Sequence, residues 1–299
     1  MTQISKIGEF GLIERIKRSI RTDATVIKGI GDDCAVLEFD KDNYQLFTCD
    51  MIAQDTDFTV KDDPYLIGRK AIAVSVSDIA ACAGLPRHCL VSLGITRNTS
   101  VEFIDRLLKG MQMLAKKYNI NLAGGDISRV EKLTIDVSML GIVKKKNLIL
   151  RSGAKAGDII FVTGELGGSI LGKHFKFTPR VKEAGFLVEN FKVNAMIDIS
   201  DGLAQDLSHI LKESSVGATI YADLIPLSKQ ARDLNDALYA GEDFELLFTI
   251  PLCQAKRLFA RDAHNFKPIG EITHKKYGLR LVDGKGRIKA IKPKGFRHF

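Results

Sequence analysis

Carboxylates recur in this chain beside apolar runs. Gly29-Ile30-Gly31-Asp32-Asp33-Cys34-Ala35-Val36 sets two adjacent aspartates after a pair of glycines. The acidic punctuation returns at Thr48-Cys49-Asp50, Ser77-Asp78, Gly124-Gly125-Asp126, Asp198-Ile199-Ser200-Asp201-Gly202 and Gly241-Glu242-Asp243. Glycine lets the backbone turn tightly and approach a ligand closely, and aspartate supplies the hard oxygen donors that Mg²⁺ prefers. One Gly–Asp pair is ordinary turn chemistry. Six such stretches, most of them preceded by an apolar segment, are what strand ends delivering carboxylates to one cleft look like, and they point to a polymetal phosphate site. Asp78 lies amid Val74, Val76, Ile79 and Ala80, where a carboxylate is costly to bury unless paired or metal-bound. Asp198, between Ile197 and Ile199, is in the same position. Asp201 reads equally well as a helix N-cap, and Asp206 as an acid complementing a first-turn dipole.

Other patterns are decoys. Gly167-Gly168-Ser169-Ile170-Leu171-Gly172-Lys173-His174 nearly fits a phosphate-binding P-loop, but His174 stands where the Mg²⁺-holding Ser or Thr belongs. We read 167–174 as a helix whose glycine-rich start lies near phosphate. Gly29-Ile30-Gly31 lacks the third glycine of a dinucleotide fingerprint. The histidines show no HExxH spacing, and Ser200 has no evident base partner.

The elements that must position these residues alternate between helix and strand. Phe10, Ile13, Ile16 and Ile20 mark an amphipathic helix over 8–20. Short strands are expected at 35–39 and 44–49, followed by an acidic loop from Asp50 to Asp63. A long Ala-rich helix spans 64–84, a strand 89–96, a second amphipathic helix 101–118, a short strand 119–123 ending at Gly124, and a strand 132–143. Turn-rich sequence at 144–157 marks a boundary. Beyond it come a strand at 158–162, helices near 166–174 and 180–190, a strand 195–199, a helix 201–213, strands 217–222 and 245–250, a helix 251–261 and short basic strands to Phe299. The order implies an α/β (α+β) protein of two domains, 1–146 and 147–299.

At 299 residues, 45% hydrophobic and 27% charged, the chain has an ordinary globular composition. The net charge of +8 suits a polyanionic small substrate or a nucleic acid. Cys34, Cys49, Cys82, Cys89 and Cys253 are odd in number and without CxxC spacing, which indicates free thiols in a reducing compartment rather than disulfides or zinc. No secretory signal or membrane-length apolar run is evident. A cytoplasmic protein that does not engage a membrane is expected.

Taken together, GIGDDCAV, SVSDIAACAG, GGDISR, LRSGAKAGDIIFVTG, IDISDGL and GEDFELLF, in this order, resemble the thiamine-monophosphate kinase family, and GEFGLI near the start and GF-x-HF at the end fit as well. The wider superfamily holds aminoimidazole ribonucleotide synthetase, selenophosphate synthetase and the hydrogenase-maturation dehydratase. The last ends in a reactive cysteine, whereas this chain ends Arg297-His298-Phe299. Selenophosphate synthetase needs an N-terminal Cys or selenocysteine, and no cysteine precedes Cys34.

The resemblance implies ATP-dependent phosphorylation of thiamine monophosphate with several Mg²⁺ ions, a homodimer formed through the N-terminal sheet, and a cleft completed by the C-terminal domain. It leaves a K⁺ requirement open. Position by position it places Asp33, Asp50, Asp78, Asp126, Asp198 and Asp201 at metal-binding positions, with Thr48 and Cys49 in the metal loop. It places Gly125, Asp126, Arg151 and Ser200 against the nucleotide, and Asp57, Glu242 and Phe296 against the substrate. Asp57 and Phe296 stand where relatives have His and Tyr, and 172–195 is short for the family. The chemistry agrees. A phosphate monoester is already anionic at neutral pH, so no general base is needed, and divalent ions offset repulsion between two polyanions. Another enzyme of the superfamily, such as aminoimidazole ribonucleotide synthetase, is the near alternative. A basic nucleic-acid-binding protein is the distant one; clustered carboxylates would repel a nucleic-acid backbone, and no recognition motif is present.

Overall fold

The computed structural model describes residues 3–261 and 266–296. The chain opens with helix α1 (Ile4–Ser19), then β1 (Val26–Lys28), β2 (Ala35–Glu38), β3 (Asn43–Ala53), α2 (Pro64–Ala81), β4 (Leu85–Ile95), α3 (Val101–Tyr118), β5 (Asn121–Arg129) and β6 (Thr134–Lys144). These strands form one sheet in the order β1-β2-β3-β6-β4-β5, antiparallel except for the β4–β5 pair, which α3 connects. The second half supplies β7 (Asp158–Val162), α4 (Lys173–Lys176), α5 (Val181–Asn190), β8 (Ala195–Asp198), α6 (Leu203–Ser214), β9 (Val216–Tyr221) and α7 (Leu234–Tyr239). It continues with β10 (Leu246–Pro251), α8 (Leu252–Arg261), β11 (Lys267–His274), β12 (Leu279–Val282) and β13 (Ile288–Ala290). The second sheet runs β13-β12-β9-β11-β7-β10-β8, antiparallel except for β12–β9.

Side-chain periodicity explains the layers. Ile135, Val137, Met139 and Val143 of β6 are buried on one face, as are Leu46, Thr48 and Ile52 of β3. Leu107, Met111, Leu114 and Ala115 form the inward stripe of α3, and each of its large side chains contributes roughly 1.5–3 kcal/mol by leaving water. Helix α2 is buried from Ile67 to Ala81 except for the half-buried Asp78. It starts on an Asp63 N-cap that accepts the Tyr65 N–H, with Pro64 at the first helical position. Gly68 and Gly110 let α2 and α3 touch backbone to backbone; a Cβ at Gly68 would lie 2.0 Å from the Leu107 carbonyl oxygen. The opposite flank of α2 packs against β8, α4 and α5 of the second half, so one helix carries residues to both halves.

Several boundaries differ from the sequence expectation. β3 continues past Cys49 to Ala53, because Ile52 keeps the inward alternation, so Asp50 lies on a strand rather than in a loop. β5 runs through Gly124-Gly125-Asp126 to Arg129 instead of stopping before it. The expected helix at 166–174 is a turn, a single 3₁₀ turn at Ser169–Leu171 and the short α4. α1 forms but buries none of its residues and is bent at Gly8. The closing Arg297–Phe299 lie outside the described residues.

Candidate active site

Four aspartates from four elements converge where α2 meets both sheets. Asp33 follows the Gly29–Gly31 turn, Asp50 points inward from β3, Asp78 lies near the end of α2, and Asp198 ends β8. Carboxylate oxygens of Asp33, Asp78 and Asp198 lie within 4.8 Å of one another. Thr48, on the same face of β3 as Asp50, donates to Asp78 Oδ2 at 2.5 Å, and Ser77 donates to Asp198 Oδ2 at 2.6 Å. Arg151 clamps the group from the side: its Nη2 is 2.6 Å from Asp33 Oδ1, and its backbone N–H reaches Asp32.

Burial raises the pKa of every member, and repulsion from neighbouring carboxylates adds to it at Asp50, Asp78 and Asp198. Asp198 is pushed up to about 7 by burial and the charge of Asp33. Asp50 is pushed to about 6, chiefly by burial. Asp78 is raised well above the carboxylate range by burial and by Asp50, Asp198 and Asp33. Asp33 is raised by burial although Arg151 opposes the shift. Its neighbour Asp32 rises to about 6 for the same reason, with the charge of Asp33 adding to burial. Protein groups alone do not stabilise four negative charges here. Oδ2 of Asp33 and Oδ2 of Asp50 are buried without a hydrogen-bond partner. An all-oxygen donor set with orphaned carboxylate oxygens fits a hard divalent cation, whose charge would reverse these shifts.

Two cavities flank the cluster. The smaller, about 220 Å³, is lined by Asp50, Asp57, Lys70, Glu242 and Phe296, among others. The larger, about 570 Å³, lies between α1 and α6 and is lined by Gly31, Asp32, Arg151, Gln205 and His209, among others. Ser200 and Asp201 border both.

Most residues expected from sequence are thus brought together: Asp33, Thr48, Asp50, Asp78 and Asp198 in the cluster, Arg151 beside it, and Asp57, Ser200, Asp201, Glu242 and Phe296 on the cavities. Cys49 departs from expectation. Strand alternation turns its side chain to the other face of β3, where Sγ lies 3.0 Å from Asp136 Oδ1. Gly125 and Asp126 also depart, since they sit on the outer edge strand β5, separated from β3 by β6 and β4. Gly125 is needed there for pairing, as a Cβ would lie 1.8 Å from the Val91 carbonyl oxygen. Asp201 is not the N-cap of α6. Gly202 holds that position, and Asp206 Oδ2 accepts the N–H groups of both Asp201 and Gly202. Asp206 is buried, which raises its pKa well above normal.

The glycine-rich turn at 167–172 is not a phosphate cradle. The fully buried Asp243 accepts the Gly167 N–H at 3.0 Å and the Ser169 hydroxyl at 2.5 Å, filling the turn with a protein carboxylate. Sequence reasoning missed Lys70 and His174, both buried against Glu242. A lysine in an Ala-rich helix reads as solvated; only its apolar neighbours on every side, Ile67, Ala71 and Val74, signalled burial.

Two mixed sheets joined by a shared helix, with carboxylates at the seam, define the AIR synthase related architecture. The family models for the N-terminal and C-terminal domains of AIR synthase related proteins match residues 31–143 and 137–282. Thiamine-monophosphate kinase of Buchnera aphidicola is 36% identical, the alignment covering 98% of this chain and 99% of the relative. That of Aquifex aeolicus is 31% identical, covering 99% and 100%. The solved structure described as AaThiL complexed with AMPPCP and TMP superposes with a TM-score of 0.88 at 30% identity, over 100% of this chain and 99% of that one. The chain belongs to the thiamine-monophosphate kinase family.

Proposed function

We infer that this chain transfers the terminal phosphoryl group of ATP to thiamine monophosphate, forming thiamine diphosphate. The observation that carries the reading is one cavity bordered by Asp50, Asp57, Ser200, Asp201, Glu242 and Phe296 beside the aspartate cluster. Likeness to a structure complexed with AMPPCP and TMP supports the same substrates.

Asp33, Asp50, Asp78 and Asp198 are the proposed Mg²⁺ donors, with Thr48 orienting Asp78 and Asp201 at the margin. Bound there, Mg²⁺ would neutralise phosphate oxygens and stabilise a loose transition state. The nucleotide phosphates are assigned to the Arg151 side and the acceptor to the Asp57, Glu242 and Phe296 side. Ser200 and Asp201 border both cavities, so the two phosphates would meet there. A carboxylate and an aromatic ring suit the cationic ring system of thiamine. Transfer is direct and in line; trapping a phosphorylated enzyme would contradict this.

A homodimer is proposed because the outer face of the first sheet exposes Phe47, Met51 and Leu90, an apolar patch of the kind partners cover. The edge strand β5 would bring Gly125 and Asp126 to that junction. The domain division at 146/147 is supported by the gap between β6, ending at Lys144, and β7, starting at Asp158. No described helix is long and apolar enough to cross a membrane, and a reducing, cytoplasmic setting suits the free thiols.

The test is product analysis with ATP, Mg²⁺ and thiamine monophosphate. Thiamine diphosphate should form with wild type and be lost in Asp33→Asn and Asp198→Asn. No product from wild type, with ATP consumed on formylglycinamidine ribonucleotide instead, would overturn the substrate assignment.

A further inference from the structure

Lys70 is fully buried and takes no part in the phosphoryl transfer just described. Its Nζ donates to the Asp57 carbonyl at 2.9 Å and to Glu242 Oε1, and lies 3.1 Å from His174 Nδ1. His174 Nδ1 in turn lies 2.9 Å from Glu242 Oε2. Nδ1 cannot accept from Lys70 and donate to Glu242 at once. Only a proton on Nδ1 gives the buried Glu242 Oε2 a partner, so Lys70 holds one carboxylate oxygen and His174 the other. Burial raises the Glu242 pKa, but the His174 hydrogen bond and the Lys70 charge outweigh it and leave it lowered. The backbone is fixed as well. Glu242 is a non-glycine residue at φ 58°, and its N–H donates to the Ser200 carbonyl at 2.7 Å. Such strain persists where surroundings over-determine a residue, typically at ligand clamps.

The spacing gives the clamp a purpose. Lys70, Val74 and Asp78 recur every fourth residue along one face of α2; the first two line the smaller cavity and the third belongs to the aspartate cluster. At 1.5 Å per residue the helix holds Lys70 about 12 Å from Asp78.

We infer that Lys70 and His174 are positioning residues that fix Glu242 to receive the end of the acceptor remote from its phosphate, selecting a molecule that presents an N–H donor on a cationic ring system about 12 Å away. The inference rests on the acceptor reading above, and its test is separable from it. Initial rates would be measured for thiamine monophosphate and for oxythiamine monophosphate, in which a carbonyl replaces the ring amino group. Lys70→Met and His174→Leu should raise KM for thiamine monophosphate about 10-fold, the cost of one lost charged contact. The preference over the oxythiamine compound should shrink in step, while kcat and KM for ATP stay within about 2-fold. His174→Gln, which keeps an N–H donor, should restore most of the preference. If Lys70→Met fails to fold, Lys70→Met/Glu242→Gln removes both buried charges together and should fold with the preference lost. Folded variants with unchanged KM and preference would overturn the inference, as would a fall in kcat at constant KM. A wild type that makes no thiamine diphosphate would instead overturn the proposed function.

Discussion

The Ser77 hydroxyl donates a 2.6 Å hydrogen bond to Asp198 Oδ2, joining α2 of the first half to the edge strand β8 of the second. The neighbouring residue Asp78 lies in the same carboxylate group as Asp198. The cluster therefore exists only when the two halves are docked, and its electrostatic cost is a cost of docking them.

That cost is set by pH. Asp198 is raised to about 7 and Asp50 to about 6, and Asp78 is raised well above the ordinary range, each chiefly by burial. The folded state thus holds protons that the unfolded chain has released. The stabilisation is fully present below the unfolded pKa of about 4 and is lost as pH rises through about 6 to 7. The metal-free protein should melt at a lower temperature near pH 8 than near pH 5. Mg²⁺ should raise Tm more at about pH 8 than at about pH 6, where it must displace protons. Asp198→Asn should flatten the slope and remove most of the Mg²⁺ effect. A wild-type Tm that falls with added Mg²⁺, or that does not respond to it, would contradict the donor assignment.

Arg151 is held between Asp33 and Asp32, whose charges keep its pKa raised against burial. Removing it leaves Asp33 buried without its cation, a loss of about 3–5 kcal/mol for pairs of this kind. Arg151→Met should lower Tm measurably, and Arg151→Met/Asp33→Asn should recover much of the loss. Neither should be active, because the double variant lacks both the proposed phosphate-facing cation and a proposed metal donor. Calorimetry beside a turnover assay separates the two effects.

The thiols would report on the proposed dimer. Cys34, Cys82 and Cys89 are buried, and burial raises the pKa of the Cys34 and Cys89 thiols, the latter to about 11. They should resist a thiol-reactive reagent until the protein unfolds. Cys49 and Cys253 are exposed in the single chain. Cys49 shares the outer face of the first sheet with Phe47 and Met51, so self-association through that face should slow its labelling as concentration rises, while Cys253 stays unaffected. Met51→Glu should abolish the protection. Equal concentration dependence at both thiols would speak against this interface.

Much of this site was legible because a buried carboxylate is conspicuous. Asp78 among valines and Asp198 between isoleucines had few readings other than function, and both lie in the cluster. Arg151 and the substrate-side role of Glu242 were reached through the resemblance; the local sequence marked Gly241-Glu242-Asp243 only as one more acidic stretch, and Arg151 not at all. Two expectations were formed without strand facing or extent in view. Cys49 adjoins Asp50 in sequence, yet the two-residue period of a strand puts their side chains on opposite sides. Gly125-Asp126 looked like a strand end because Gly-Gly reads as a turn, but the close approach of β4 is what requires Gly125. Lys70, His174 and Asp243 were hidden for a further reason: each is buried by residues more than 70 positions away. No local period can announce that.

The glycine-rich decoy yields the last prediction. The segment after β7 is held by two buried acids rather than by phosphate. Asp243 fills the turn, and its own pKa is raised to about 6 by burial. Glu245, 2% exposed, accepts from Arg180 at 2.6 and 2.7 Å, Lys173 at 3.0 Å and the Thr163 hydroxyl at 2.8 Å. Four donors from the 163–180 stretch converge on one carboxylate, so this segment closes over β10 through Glu245. Glu245→Gln removes the charge that two cations share and should cost about 3–5 kcal/mol. The loss should appear as local opening, with faster amide exchange across 165–180. Because α4 carries His174, loosening should also weaken acceptor binding before it touches nucleotide binding. A variant as stable as wild type, with unchanged exchange at 165–180, would show that the segment is held by its apolar contacts instead. Those include Phe177, stacked on Phe244 with centroids 4.1 Å apart.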